Sequence, residues 1–298
     1  DWYRSRGLGD VYKRQVSKRI YNNEVQCALI SGGEVLQTMI SKLKAGKPLD
    51  WEDHPGGSPE IVGINDEGFS SDEKKHFMDL PSNVYPIFAN ALRSEKSQSS
   101  KEHLKECSEL FSKFSKVAEK NSNSWFPKYR SPEEIEKVTD SNRLVGFPYT
   151  KYLNSMIRVN MASSMIIMSE KLSKELNISQ KKKIYLHGSC ILNDIWNVSK
   201  RPKLIESPAI KKCGEEVLSQ AQVSMDSISY FDIYSCFPSA VQIAMKELSL
   251  NLDDNRPLTV TGGLPYFGGP GNAYTMFSSS EMVRKLRKNQ NKYGMITA

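Results

Sequence analysis

Residues 261–274 read TGGLPYFGGPGNAY, five glycines and two prolines set directly after the β-branched run LTVT at 258–261. Glycine in such a loop permits positive φ and lets the backbone approach a ligand, and successive exposed N–H groups can hold a phosphate or an oxyanion. The spacing is not the G-x-G-x-x-G of dinucleotide folds, and the Lys of a P-loop is missing. A loop that only turns the chain tightly is the plain alternative, and the residues by themselves leave both open.

Working outward, SYFDIYSCF at 229–237 reads as a strand, and a helix follows through Val241, Ile243, Ala244, Met245 and Leu248. Beyond the loop come a basic helix and a further strand, YGMIT at 293–297. Upstream, Ser207 and Pro208 start a helix carrying Ile210, Cys213, Val217, Leu218 and Ala221. IYLHG at 184–188 reads as a strand, and Met161, Met165, Ile166, Leu172 and Leu176 recur at helical spacing. VQCALISGGEV at 25–35 reads as a buried strand closed by a turn at Gly32 and Gly33; Leu36, Met39, Ile40 and Leu43 continue as a helix ended by Gly46 and Pro48. Strands alternating with helices predict an α/β fold with helices on both faces of a sheet.

Residues 46–75 read as a surface excursion. Helical faces follow at 81–93, with Val84, Ile87, Phe88, Ala91 and Leu92, and at 101–119, with Leu104, Cys107, Leu110, Phe111, Phe114 and Val117. Ser-Pro-Glu-Glu at 131–134 starts another helix. The expected organisation is therefore an unrelated or disordered segment at 1–15, a first α/β part at 16–45, a mainly helical part at 46–150 and a second α/β part at 151–298.

Composition narrows the function classes. The 298 residues are 39% hydrophobic and 25% charged with a net charge of +7, as expected of one or two ordinary soluble domains. The longest apolar runs, CALI at 27–30 and MIIM at 165–168, fall far short of the roughly 20 residues of a membrane span. DWYRSRGLGDVYKRQ at 1–15 lacks the apolar core of a secretory signal. Five cysteines without a Cys-x-x-Cys pair fit reduced thiols in an intracellular compartment and give no zinc site. Lys and Arg alternate with Asp and Glu along most of the chain, which argues against nucleic acid. Two basic clusters stand out, Lys181 to Lys183 and Arg284, Lys285, Arg287, Lys288 and Lys292; they are solvated surface or an attraction for an anionic ligand.

Tyr234, Ser235 and Cys236 fall at the end of a strand just before a helix, where ligands gather in open α/β sheets. A helix N-terminus there would lower the pKa of the Cys236 thiol; a buried structural cysteine is the plainer reading. Cys107 reads as core. His187 reads as buried and satisfied, and His54, His76 and His103 as solvated.

The order of segments from about 16 to 298 resembles the thiolase superfamily, in particular the thiolase-like proteins related to sterol-carrier-protein-linked thiolases and acetyl-CoA acetyltransferases. VQCALISGGEVLQT at 25–38 resembles the thiolase strand ending in Gly-Ala-Glu, here Gly32, Gly33 and Glu34. VNMASSMIIMSEKLSKELNI at 159–178 is similar to the stretch beginning I-N-D-G-A-A-A. FDIYSCFPS at 231–239 resembles the H-D-C-F-S or N-E-A-F element, and TGGLPYFGGPGN at 261–272 the loop that continues to G-H-P. The resemblance implies a thiolase-like layered αβαβα fold with mixed sheets and a mainly helical insertion. It makes 16–45 a remnant of the N-terminal half and 151–298 a C-terminal half incomplete at its end.

For function the resemblance implies an acyltransferase of the acetyl-CoA acetyltransferase kind, moving groups other than amino-acyl groups in lipid metabolism. Its partner is acyl-CoA, a thioester substrate; no cofactor is permanently bound, and a homodimer is implied for the full-length protein in cytoplasm, peroxisome or mitochondrion. The alternative is an acyl-CoA or lipid-binding protein that has lost the chemistry. The residues implied are Tyr234 and Cys236 on the catalytic side, and Gly262, Gly263, Gly268, Gly269 and Asn272 around the thioester. This sequence departs from the pattern at Gly269, where G-H-P has His, and at Tyr234, where the other motif has Asn or His. Ala298 stands roughly where a second Cys belongs.

Overall fold

The computed structural model describes residues 8–51, 67–251 and 254–298; His54 and half of the expected excursion at 46–75 lie outside them. Helix α1 spans Leu8–Tyr21, so the boundary expected at residue 16 falls inside a helix. Strand β1, Cys27–Glu34, leads into α2, Leu36–Lys44, and the chain leaves α2 through Gly46 at φ +64°. β1 contains Gly32 and Gly33, which pair with Ser163 and Ala162, and most of its side chains are partly or fully exposed. The expected buried strand with a glycine turn is corrected on both points. Glycine in the strand allows a close approach there: a Cβ on Gly32 would sit 3.2 Å from Cβ of Ala273.

Three helices follow: α3, Ser71–Lys75; α4, Pro81–Glu95; and α5, Ser100–Glu119. Ser70 and Ser99 each form a capping box, with Glu73 and Glu102 returning the bond. The stripe Cys107, Leu110, Phe111, Phe114 and Ala118 of α5 is buried in the main core. His103 lies on the same helix and is fully buried, not solvated as expected. Its ring Nε2 lies 3.6 Å from Sγ of Cys107, and burial lowers its pKa. Next come α6, Pro132–Glu136, capped by Ser131, and the short hairpin of β2, Leu144–Gly146, and β3, Tyr149–Thr150.

The stretch 161–168, expected to be helical, is strand β4, Met161–Met168, paired antiparallel with β1 from Cys27↔Met168 to Glu34↔Met161. Met161, Met165 and Ile166 satisfy a helical spacing, but Met161, Ser163, Met165 and Ile167 also satisfy period 2. A neighbouring strand that takes the ladder bonds decides between them. After α7, Glu170–Glu175, the segment 184–188 expected as a strand has no regular secondary structure and no ladder partner among the described residues.

Helix α8, Pro208–Ala221, is capped by Ser207. Strand β5, Ile228–Asp232, precedes α9, Pro238–Glu247. Helix α10, Tyr274–Lys288, leads to β6, Tyr293–Ile296, which pairs parallel with β5. LTVT at 258–261 is not a ladder strand as expected, because Val260 and Thr261 donate their N–H groups to the carboxylate of Asp232. Among the described residues, no helix is long and apolar enough to cross a membrane.

Candidate functional site

The site is built around the carboxyl end of β5. Asp232 is fully buried between Phe231 and Ile233, also buried, and an isolated carboxylate there would be costly to desolvate. It is matched by six hydrogen bonds. Oδ2 accepts from Thr259 Oγ1 (2.9 Å), Val260 N (2.9 Å), Thr261 N (3.0 Å) and Thr261 Oγ1 (3.0 Å). Oδ1 accepts from Tyr274 OH at 3.1 Å and Ser278 Oγ at 2.7 Å. The network extends one step further: Gly262 N donates to Thr259 Oγ1 at 2.9 Å, and Gly263 N to Thr261 Oγ1 at 3.0 Å. Asp232 thus locks β5, the glycine loop and the start of α10 to one another.

Tyr234 emerges from this anchor half-buried. Its backbone N–H donates to Thr297 Oγ1 at 2.9 Å, just past β6, and its ring meets that of Tyr274 edge-on at 5.7 Å. Ser235 Oγ accepts from Leu264 N at 3.1 Å. Cys236 is buried, and burial pushes its thiol up to about 12 against a hydrogen bond with Tyr85. At neutral pH its thiolate fraction is then roughly 10⁻⁵. The expected lowering by a helix N-terminus is therefore reversed. Desolvation outweighs the dipole, and the N–H of Ser239 in the first turn of α9 is spent on Tyr149 OH at 3.1 Å.

The glycines are buried and closely packed. Gly262 lies against Ala118 on α5; Gly263, at φ +78°, would place a Cβ 2.6 Å from Phe114 Cδ1. Gly268, at φ +126°, faces Met161 and Val159, and Gly269 faces Ser155. Gly269 N donates to Met156 O at 2.9 Å, and Met156 N to Leu264 O at 3.2 Å. The amides of Gly262, Gly263, Leu264 and Gly269 are thus engaged within the chain. Asn272 is half-buried in a short turn before α10, and a Cβ on its exposed neighbour Gly271 would lie 3.4 Å from Oε2 of Glu34.

Other candidates lie elsewhere. His187 is exposed, not buried as expected, with its ring 5.4 Å from that of Tyr293. The two basic clusters meet where Arg287 Nε donates to Lys182 O at 3.0 Å. Arg287 is about 20 Å along α10 from Tyr274 at the usual rise per residue, so this patch is remote from Tyr234.

No family model matches the chain, and no curated protein matches it. Solved structures do. A monomeric SCP2-thiolase-like protein type 1 from Mycobacterium smegmatis superposes with a TM-score of 0.81 at 28% identity, over 97% of this chain and 57% of that one. The chain belongs to the thiolase superfamily. An acetyl-CoA acetyltransferase from Bacillus anthracis shares the thiolase fold at a TM-score of 0.63 and 16% identity, over 98% of this chain and 73% of that one. The dimeric peroxisomal thiolase of Saccharomyces cerevisiae shares it at 0.60 and 13%, over 98% and 71%. Monomers and dimers thus both occur among the thiolase neighbours, and this chain spans 57% of the length of the SCP2-thiolase-like protein. Two of the four stretches that resemble thiolase elements in sequence, 231–239 and 261–272, are joined in space by Asp232.

Asp232 is the anchor of the candidate site that the sequence reading passed over. Its signal was an acidic side chain between Phe231 and Ile233, shortly before a Thr-Val-Thr run able to supply donors.

Proposed function

We propose that the chain acts on acyl-CoA thioesters as a thiolase-type acyltransferase, with the thioester carbonyl at the carboxyl end of β5 beside Tyr234. The observation that supports this most is the superposition on the SCP2-thiolase-like protein, which covers 97% of this chain. The local chemistry agrees with it. Tyr234 is half-buried on a wall held rigid by Asp232, which suits a hydroxyl donating to a carbonyl oxygen as negative charge develops. Burial raises the pKa of the Cys236 thiol, and in this reading it lines that wall as a neutral thiol.

Acetyl-CoA binding by calorimetry, transfer to an acceptor thiol, and intact mass after incubation test the reading together. Tyr234→Phe is expected to lower turnover by on the order of 10²-fold, the loss seen when one oxyanion donor is removed. Unchanged binding and turnover would remove Tyr234 from the site. An acyl adduct on the protein supports covalent transfer; tight binding with neither adduct nor turnover supports a binding role alone.

A further inference from the structure

Away from that site, residues 183–195 form a strap without regular secondary structure, whose 188–194 portion lies along α8. Near the C-terminal end of the helix, Ser189 N donates to Gln220 Oε1 at 2.9 Å. Gly188 presses so closely that a Cβ there would lie 2.7 Å from the carbonyl oxygen of Val217. At the N-terminal end, Asp194 accepts from Ala209 N at 3.0 Å and from Ser207 Oγ at 2.5 Å. The strap therefore runs antiparallel to α8 and is tied at both ends.

Midway along it, between the Gly188–Val217 and Asp194–Ala209 contacts, Cys190 on the strap comes opposite Cys213 on the helix, near enough for the two thiols to interact. Both are free and partly exposed. Cys107 and Cys236 are buried, and Cys27 is exposed.

We propose that Cys190 and Cys213 are a redox-active dithiol, a reversible modification site whose disulfide clamps the 183–195 strap onto α8. A low-molecular-weight disulfide such as oxidised glutathione is the oxidant. The Cys190 thiolate attacks one sulfur of the oxidant, expels a glutathione thiolate and forms a mixed disulfide. Cys213 then loses its proton and attacks the Cys190 sulfur, expelling the second glutathione thiolate. The protein gives up two electrons and two protons, and the oxidant leaves as two thiols.

Burial and the neighbouring Cys190 push the Cys213 thiol up; in the proposed order attack starts at Cys190 and Cys213 resolves. The raised pKa of Cys213 slows the second step. An effective molarity on the order of 10⁵ M for a held intramolecular pair offsets it.

The test is to incubate the full chain with oxidised glutathione, quench with acid, alkylate the remaining thiols and map the peptides without reduction. The expected product joins the peptides of Cys190 and Cys213, while exposed Cys27 carries glutathione as proof that the oxidant reached the protein. Amide exchange over 183–195 is expected to slow in this form, and a reductant to restore both thiols. Cys213→Ser should leave Cys190 as a stable glutathione adduct and abolish the slower exchange. Recovery of Cys190 and Cys213 as free thiols or separate adducts beside a fully modified Cys27 would overturn the pairing. A cross-link without slower exchange would overturn the clamp.

Discussion

Asp232 carries the most interactions of any side chain at the site, and their sense is one-directional: six donors converge on an acceptor that has nothing to donate when ionised. Asp232→Asn keeps the shape but turns an NH₂ toward some of those donors. The expected result is a loss of about 2–4 kcal/mol in urea unfolding, the cost of unsatisfying several buried partners together. The sequence reading reached Tyr234 and Cys236 because a strand followed by a helix start is a local pattern. It could not reach Asp232, whose donors lie between 27 and 46 residues further along. Cys236 shows the complementary failure: its place before a helix was legible, whereas the burial that keeps it protonated is a property of Tyr85 and the packing around it.

At the scale of elements, the glycine loop is a clasp. Gly263→Ala would force an L side chain into positive φ and a Cβ to 2.6 Å from Phe114, and is expected to cost about 2–3 kcal/mol by thermal or urea unfolding. A second clasp joins α3 to the turn at 197–200. Glu73 accepts from Ser199 N at 2.8 Å, Ser70 N at 2.7 Å and Asn197 Nδ2 at 3.1 Å. Burial raises its pKa, but these bonds outweigh it and hold the carboxyl near about 2, below the ordinary 4.5. A folded-state pKa below the unfolded one contributes stability above the unfolded value and loses it as pH falls through the folded one. Wild type should therefore exceed Glu73→Gln by about 1–2 kcal/mol at neutral pH, with the gap closing between about 4.5 and 2. Equal stability of the two at pH 7 would show that the clasp is idle. α6 and α8 were legible because Ser131 and Ser207 cap locally, and α5 because its apolar face repeats at helical spacing. β4 was misread because two periods fit it and only β1 settles which.

For the whole molecule, the thiolase fold and the proposed thioester site lead to a binding prediction. An acyl-CoA present at about 100 times its Kd should stabilise the folded chain by about 2.7 kcal/mol, read as a rise in Tm. No shift at millimolar acetyl-CoA would speak against the site. The sequence by itself determined the α/β class, most of the helices, and the order of motifs that resembles thiolases, because caps, hydrophobic periods and short motifs are encoded within a few residues. Only the tertiary structure decided which run became β4, which glycines serve packing against α5, and how β5, the loop and α10 meet on one buried carboxylate. It also decided that Cys190 and Cys213 face each other across the strap and α8. Each of these depends on partners distant in the chain, and the desolvation that gives them their energies exists only once those partners have closed around them.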